Sequence, residues 1–142
     1  MISNKCQYAL RAMLELAKHQ DGSPVSIHII AEKQQIPARF LEAILRQLKQ
    51  TGLARSVRGK DGGYILTKKP EDISMGEIIH IFEGELLSSS AANFKQGEHC
   101  VFQSVFTEAS ECLSTIFENK SLKDLIKEDE KLNPPDIMNY AI

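Results

Sequence analysis

No apolar run in these 142 residues approaches the roughly 20 needed to span a bilayer, and the opening carries no basic leader followed by an apolar core. A cytoplasmic protein with no membrane partner is therefore expected. Cysteine is scarce and odd in number, three residues in all, which argues against a disulfide framework and suits free thiols or ligands in a reducing compartment. The histidines His19, His28, His80 and His99 are scattered, and no serine–histidine–acid or paired-carboxylate arrangement can be read from their order. The glycine cluster Gly59-Lys60-Asp61-Gly62-Gly63 lacks the spacing of a phosphate-binding loop and reads as a turn. No enzymatic activity is expected. Repeats and low-complexity tracts are missing too, and an apolar fraction of 42% suffices for one principal domain with a modest core.

Net charge is also small, formally −2, but it is unevenly spread. Between Pro37 and Lys69 eight lysines and arginines face two acids, a balance of +6, whereas from Pro70 onward five lysines face fourteen acids, a balance of −9. A basic module joined to an acidic one is expected when one end meets phosphates and the other meets protein or solvent.

The basic module has a recognisable order. Ser26 to Gln35 reads as a short helix with Ile27, Ile30 and Ala31 on one face. Pro37 then starts a second helix, in which Phe40, Leu41, Ile44, Leu45 and Leu48 form the apolar stripe and Gly52 marks the end. Arg39, Glu42, Arg46 and Lys49 lie off that stripe and are expected to face outward. Directly after it, Arg55 to Thr67 reads as a β-hairpin, with Arg55, Arg58 and Lys60 flanking a tip at which Gly62 and Gly63 are expected to supply positive φ. Helix, turn, helix and hairpin suit double-stranded DNA: the second helix enters the major groove and the hairpin carries cations to the backbone or a minor groove. Arg39, in the first turn, is the expected base reader because a guanidinium pairs bidentately with a guanine edge.

The acidic part begins with a connector, Ser88-Ser89-Ser90-Ala91-Ala92-Asn93 extending toward Gly97. Beyond it Val101, Phe102, Val105, Phe106, Ala109, Cys112, Leu113, Ile116 and Phe117 form a wide helical stripe, with Glu108, Glu111 and Glu118 toward the other face. A stripe of this length after a connector is suited to a twofold partner, and two reading helices about one DNA turn apart would read a palindromic operator. A short further helix is expected from Ser121. The expected division is 1–86 for a winged helix-turn-helix DNA-binding domain, 87–99 for a connector and sensor loop, and 100–142 for a dimerisation helix and tail. Overall the fold class is mainly α with a small β-hairpin. Cys6 and Cys112 fall on apolar faces and read as buried structural thiols. Cys100, preceded by His99, falls on a polar side and is the better sensor candidate, suited to iron–sulfur or zinc ligation or to reversible oxidation.

The opening Met1-Ile2-Ser3-Asn4-Lys5-Cys6-Gln7-Tyr8-Ala9-Leu10-Arg11-Ala12-Met13-Leu14-Glu15-Leu16-Ala17, the stretch Phe40-Leu41-Glu42, Gly59 through Leu66, and Ile73-Ser74-Met75-Gly76-Glu77-Ile78-Ile79 resemble the Rrf-type bacterial transcription regulators, the IscR/NsrR/CymR family. The resemblance implies a homodimeric winged-helix regulator, expected to be a repressor, in which the helix from Pro37 and the hairpin ending at Tyr64 contact operator DNA. It also implies an iron–sulfur cluster as the cofactor to consider, since cluster-binding members carry three cysteines in and just beyond the connector. Aligned back from Leu122, Cys100 matches the last of these, while Ser88 and Phe94 stand at the other two places, so the usual set is incomplete. An unusual site would combine Cys6 of one chain with His99, Cys100 or Cys112 of the other. A partner protein or small ligand is the other expected source of a signal. A protein-interaction module without specific DNA binding is the alternative function, separable by its insensitivity to salt.

Overall fold

The computed structural model describes residues 2–19, 21–85 and 101–134. Among these residues, six helices and a two-stranded antiparallel hairpin follow in order: α1 (Asn4–Lys18), α2 (Ile27–Gln34), α3 (Ala38–Gln50), β1 (Ala54–Val57), β2 (Gly63–Leu66), α4 (Met75–Glu83), α5 (Val101–Glu118) and α6 (Leu122–Leu132), with a short 3-10 turn at Pro70–Asp72 before α4. Among the described residues, no helix is long and apolar enough to cross a membrane.

Helix α1 is the centre of the packing, and its sequence explains why. It contains no β-branched residue or glycine, so its propensity is high. Ser3 caps it by accepting the Cys6 N–H at 3.1 Å. Ala9 and Ala12 are fully buried, and side chains that small let neighbouring helices come close. Met13 and Leu16 join them against Ile30 of α2, Leu41, Ile44, Leu45 and Leu48 of α3, and Ile78 of α4. The same core takes in Leu122 and Ile126 of α6, although sequence alone groups α6 with the dimerisation helix.

Helix starts follow serine: Ser26, Ser74 and Ser121 cap α2, α4 and α6 through backbone N–H groups three residues on, and Asp124 completes a reciprocal capping box with Ser121. Helix α3 begins at Pro37 and stops where expected. Gly52 adopts φ 83°, its N–H reaching the Lys49 carbonyl while that of Leu53 reaches Leu48, the paired bonds of a Schellman ending. Thr67 then ties the hairpin base to that ending, its hydroxyl donating to the Gly52 carbonyl and its N–H to the Leu53 carbonyl. Helix α3 and the hairpin are thus one mechanical piece.

Three sequence expectations are corrected. Positive φ in the hairpin loop belongs to Gly59, not to Gly62 or Gly63. Those two are glycines because of crowding: a Cβ on Gly62 would lie 2.3 Å from the Val57 carbonyl oxygen, and one on Gly63 2.2 Å from that of Val25. Val25 comes so near because it exchanges two 2.9 Å hydrogen bonds with Tyr64, adding a bridge to the edge of the hairpin. Phe40 leaves the α3 stripe and is 46% exposed, because it stands at the margin of that stripe, beside Tyr8 of α1 rather than in the core. Cys112 is exposed rather than buried, since α5 buries none of its residues in the single chain.

Candidate nucleic-acid interface

The fold sorts the two faces of α3. Leu41, Ile44, Leu45 and Leu48 are fully buried, which fixes the helix axially and rotationally on the domain. Arg39, Glu42, Arg46 and Lys49 are all exposed, and their spacing of three, four and three residues puts them along one outer face. Helix α2 packs against α3. The turn between them passes through Gln35 at φ 52°, the one non-glycine described residue with positive φ, and is anchored by buried Ile36, whose N–H reaches the Ala31 carbonyl.

Beyond α3, the register Ala54↔Leu66, Arg55↔Ile65, Ser56↔Tyr64, Val57↔Gly63 leaves residues 58–62 as the hairpin tip. Arg55, Arg58 and Lys60 are exposed. Tyr64, one residue beyond the tip-side pair Val57↔Gly63, is half-buried and packs against the core. Among the described residues, Lys68 pairs with Glu77 at 3.1 Å, while Arg39, Arg46, Lys49, Arg55, Arg58 and Lys60 make no ion pair. Cations that are not held in ion pairs keep their attraction for an external polyanion.

Sequence reasoning missed two features beside this surface. Glu15 of α1 is only 2% exposed. Its carboxylate accepts the Gln34 side-chain amide at 2.9 Å and lies 3.6 Å from the Lys33 ammonium and 3.4 Å from His19 Nε2. A buried carboxylate needs such partners, and these ones lock α2 to α1. The second is a stack of Arg11, Tyr8, Phe40 and Arg39 joining α1 to the first turn of α3. A polar residue on the apolar side of α1 could have signalled the first; the second needs the tertiary contact.

The regulatory half is partly visible. Cys6 is fully buried, and its thiol is pushed up to about 11, chiefly by burial and then by the Glu83 charge. Glu83, the last residue of α4, takes hydrogen bonds from the backbone N–H and the hydroxyl of Ser3, the same residue that caps α1. Its carboxyl is held below the ordinary range by the Ser3 hydroxyl first and the Ser3 N–H second. His99 and Cys100 lie outside the described residues. Among the described residues, no three histidine, cysteine or acidic side chains gather into a metal-holding group.

On α5 the stripe Val101, Phe102, Val105, Phe106, Leu113 and Ile116 is exposed, from 74% at Val101 to 36% at Leu113. Ala109 and Phe117 are half-buried. The polar side of the helix, with Thr107, Ser110, Glu111 and Ser114, instead faces α4 across a cleft of about 710 Å³.

The family model described as "Iron-dependent Transcriptional regulator", Rrf2, matches residues 2–128. The chain belongs to the Rrf2 family. It is 31% identical over 142 residues to the HTH-type transcriptional regulator IscR of Yersinia enterocolitica, covering 97% of this chain and 86% of that protein. The Pectobacterium atrosepticum IscR is 30% identical over 138 residues, 95% and 84% of the two chains. Among solved structures, T. potens IscR superposes with a TM-score of 0.82 at 33% identity, covering 99% of this chain and 96% of that one. CymR, the global cysteine regulator of B. subtilis, follows at 0.79 and 29%, covering 90% and 97%. This Rrf2 chain is a winged-helix, DNA-binding transcription regulator.

Proposed function

We propose that the protein is a homodimeric repressor acting in the cytoplasm, without enzymatic activity, which reads a palindromic operator through α3 and steadies itself on flanking DNA with the hairpin. The observation that carries this is the division of α3: one face is locked into the core and the other presents Arg39, Glu42, Arg46 and Lys49, with Arg55, Arg58 and Lys60 following on a hairpin tied to its end. Arg39 reads a base edge. Arg46, Lys49, Arg55, Arg58 and Lys60 set register on phosphates, and Tyr64 seats the hairpin on the domain. Residues 1–86 form the reading unit, 87–99 the connector and sensor, and 100–142 the dimerisation part, with the α5 stripe as the interface. The relatives IscR and CymR are themselves named as regulators, which supports the same role here.

The test is binding of the full chain to a duplex recovered by repeated selection from a randomised library, followed over a salt series. Affinity that falls steeply with salt, together with a palindromic consensus, is expected. Salt-insensitive binding without a consensus would overturn the reading. For the signal, an iron–sulfur cluster, thiol chemistry, a small ligand and a partner protein are the candidates. Matched iron and sulfide after anaerobic purification would establish a cluster and direct attention to Cys6, His99, Cys100 and Cys112. A metal-free protein that still binds the duplex would favour thiol chemistry, a small ligand or a partner protein.

A further inference from the structure

We propose that Tyr8 of α1 and Phe40 of α3 are positioning residues for Arg39, so that base preference at the operator depends on a helix outside the helix-turn-helix pair. The inference rests on the reading of Arg39 as a base reader. It starts from the misplaced aromatic: Phe40 has the spacing of a core residue, yet its ring stands half exposed beside Arg39. The Arg39 guanidinium carbon lies 4.8 Å from the centre of that ring. Behind it, the Tyr8 ring lies 6.3 Å away with its plane tilted by 30°, inside the range of attractive aromatic pairs. Arg11, one turn along α1, caps the far end at 5.7 Å from Tyr8.

A guanidinium laid on a ring uses its face for the cation–π contact and keeps its N–H edge free for two hydrogen bonds. Stacking therefore restricts Arg39 without occupying the donors that a guanine edge would take, and a donor restrained before binding loses less freedom on binding. The restraint is firm because Tyr8 stands on α1, whose next residue, Ala9, is fully buried in the core.

The experiment uses the full chain and the selected duplex, with every base pair of the site substituted in turn. Arg39→Ala identifies the base pair whose preference it sets. Tyr8→Leu, which keeps apolar packing but removes the ring, should lower preference at that same base pair by about two- to fivefold and leave the salt slope unchanged, while Tyr8→Phe should retain wild-type preference. Unchanged preference in Tyr8→Leu, or an equal loss at every base pair, would overturn the positioning role. If Tyr8→Leu does not fold, as judged by its thermal transition, Phe40→Leu at the exposed position takes its place with the same expected outcome. Full base preference in Arg39→Ala would remove the underlying assignment instead, a result distinct from failure of the stack.

Discussion

Helices α3 and α5 are both amphipathic, yet they use their apolar faces in opposite ways. In α3 the four stripe residues from Leu41 to Leu48 vanish into the core and the polar face meets solvent. In α5 the polar side is turned toward α4 and the apolar side outward. The difference shows that periodicity defines a face but not its destination. The polar side of α5 lines the cleft with α4 while most of the stripe stays open, which favours a second copy as the cover. A contiguous patch of this kind marks an interaction surface.

The sharpest way to break the comparison is to shorten a side chain on α3. Leu45→Ala should destabilise the chain by about 2–5 kcal/mol, read from chemical denaturation, whereas Phe106→Ala should leave the single-chain fold nearly unchanged. Next, Phe106→Glu would bury a charge without a partner in the dimer; a dimer weakened by at least about tenfold is expected by sedimentation. An undiminished dimer would mean the stripe has another role. The thiols sharpen the contrast further. Iodoacetamide should label Cys112 slowly in the dimer and quickly in Phe106→Glu, while Cys6 stays slow in both until the pH nears its raised value of about 11. Because the folded state disfavours the Cys6 thiolate, stability should also fall as pH rises from about 9, the thiol's ordinary value, toward 11. The smallest effect is expected at Glu83. Its lowered value adds stability that is present above the ordinary carboxylate range and is lost as pH falls through the folded value. Glu83→Gln should flatten the acid limb of the melting temperature slightly.

Local chemistry made most of the DNA-reading half legible. Pro37 and Gly52 bound α3 where they stand, and the basic hairpin follows at once. What escaped depends on residues distant in sequence. Gly63 is small because Val25 passes beside it, Phe40 leaves the core because Tyr8 receives it, and Glu15 is buried because Gln34 and Lys33 reach it from α2. No periodicity within one helix encodes such meetings. The glycines were recognised as necessary but for the wrong reason, since a lack of Cβ serves both unusual φ and close approach. For the sensor, sequence raised His99 and Cys100, which lie outside the described residues, and the structure sets Cys6 and Cys112 in opposite surroundings.

The junction of α5 with α6 is clamped: the Met75 N–H reaches the Lys120 carbonyl at 2.7 Å, the Leu122 N–H reaches that of Ile73 at 2.9 Å, and Gly76 lies so close to Glu118 that a Cβ there would come within 3.0 Å of its backbone nitrogen. These anchors grip only the C-terminal end of an 18-residue helix, while the N-terminal end, which meets the connector, carries its most exposed residues. Helix α5 thus extends about 27 Å from a hinge-like clamp at its C-terminal end. A tilt of about 10° at the clamp would carry Val101 through about 5 Å by the same helical rise, so that a change of angle in α5 is coupled to the start of α4.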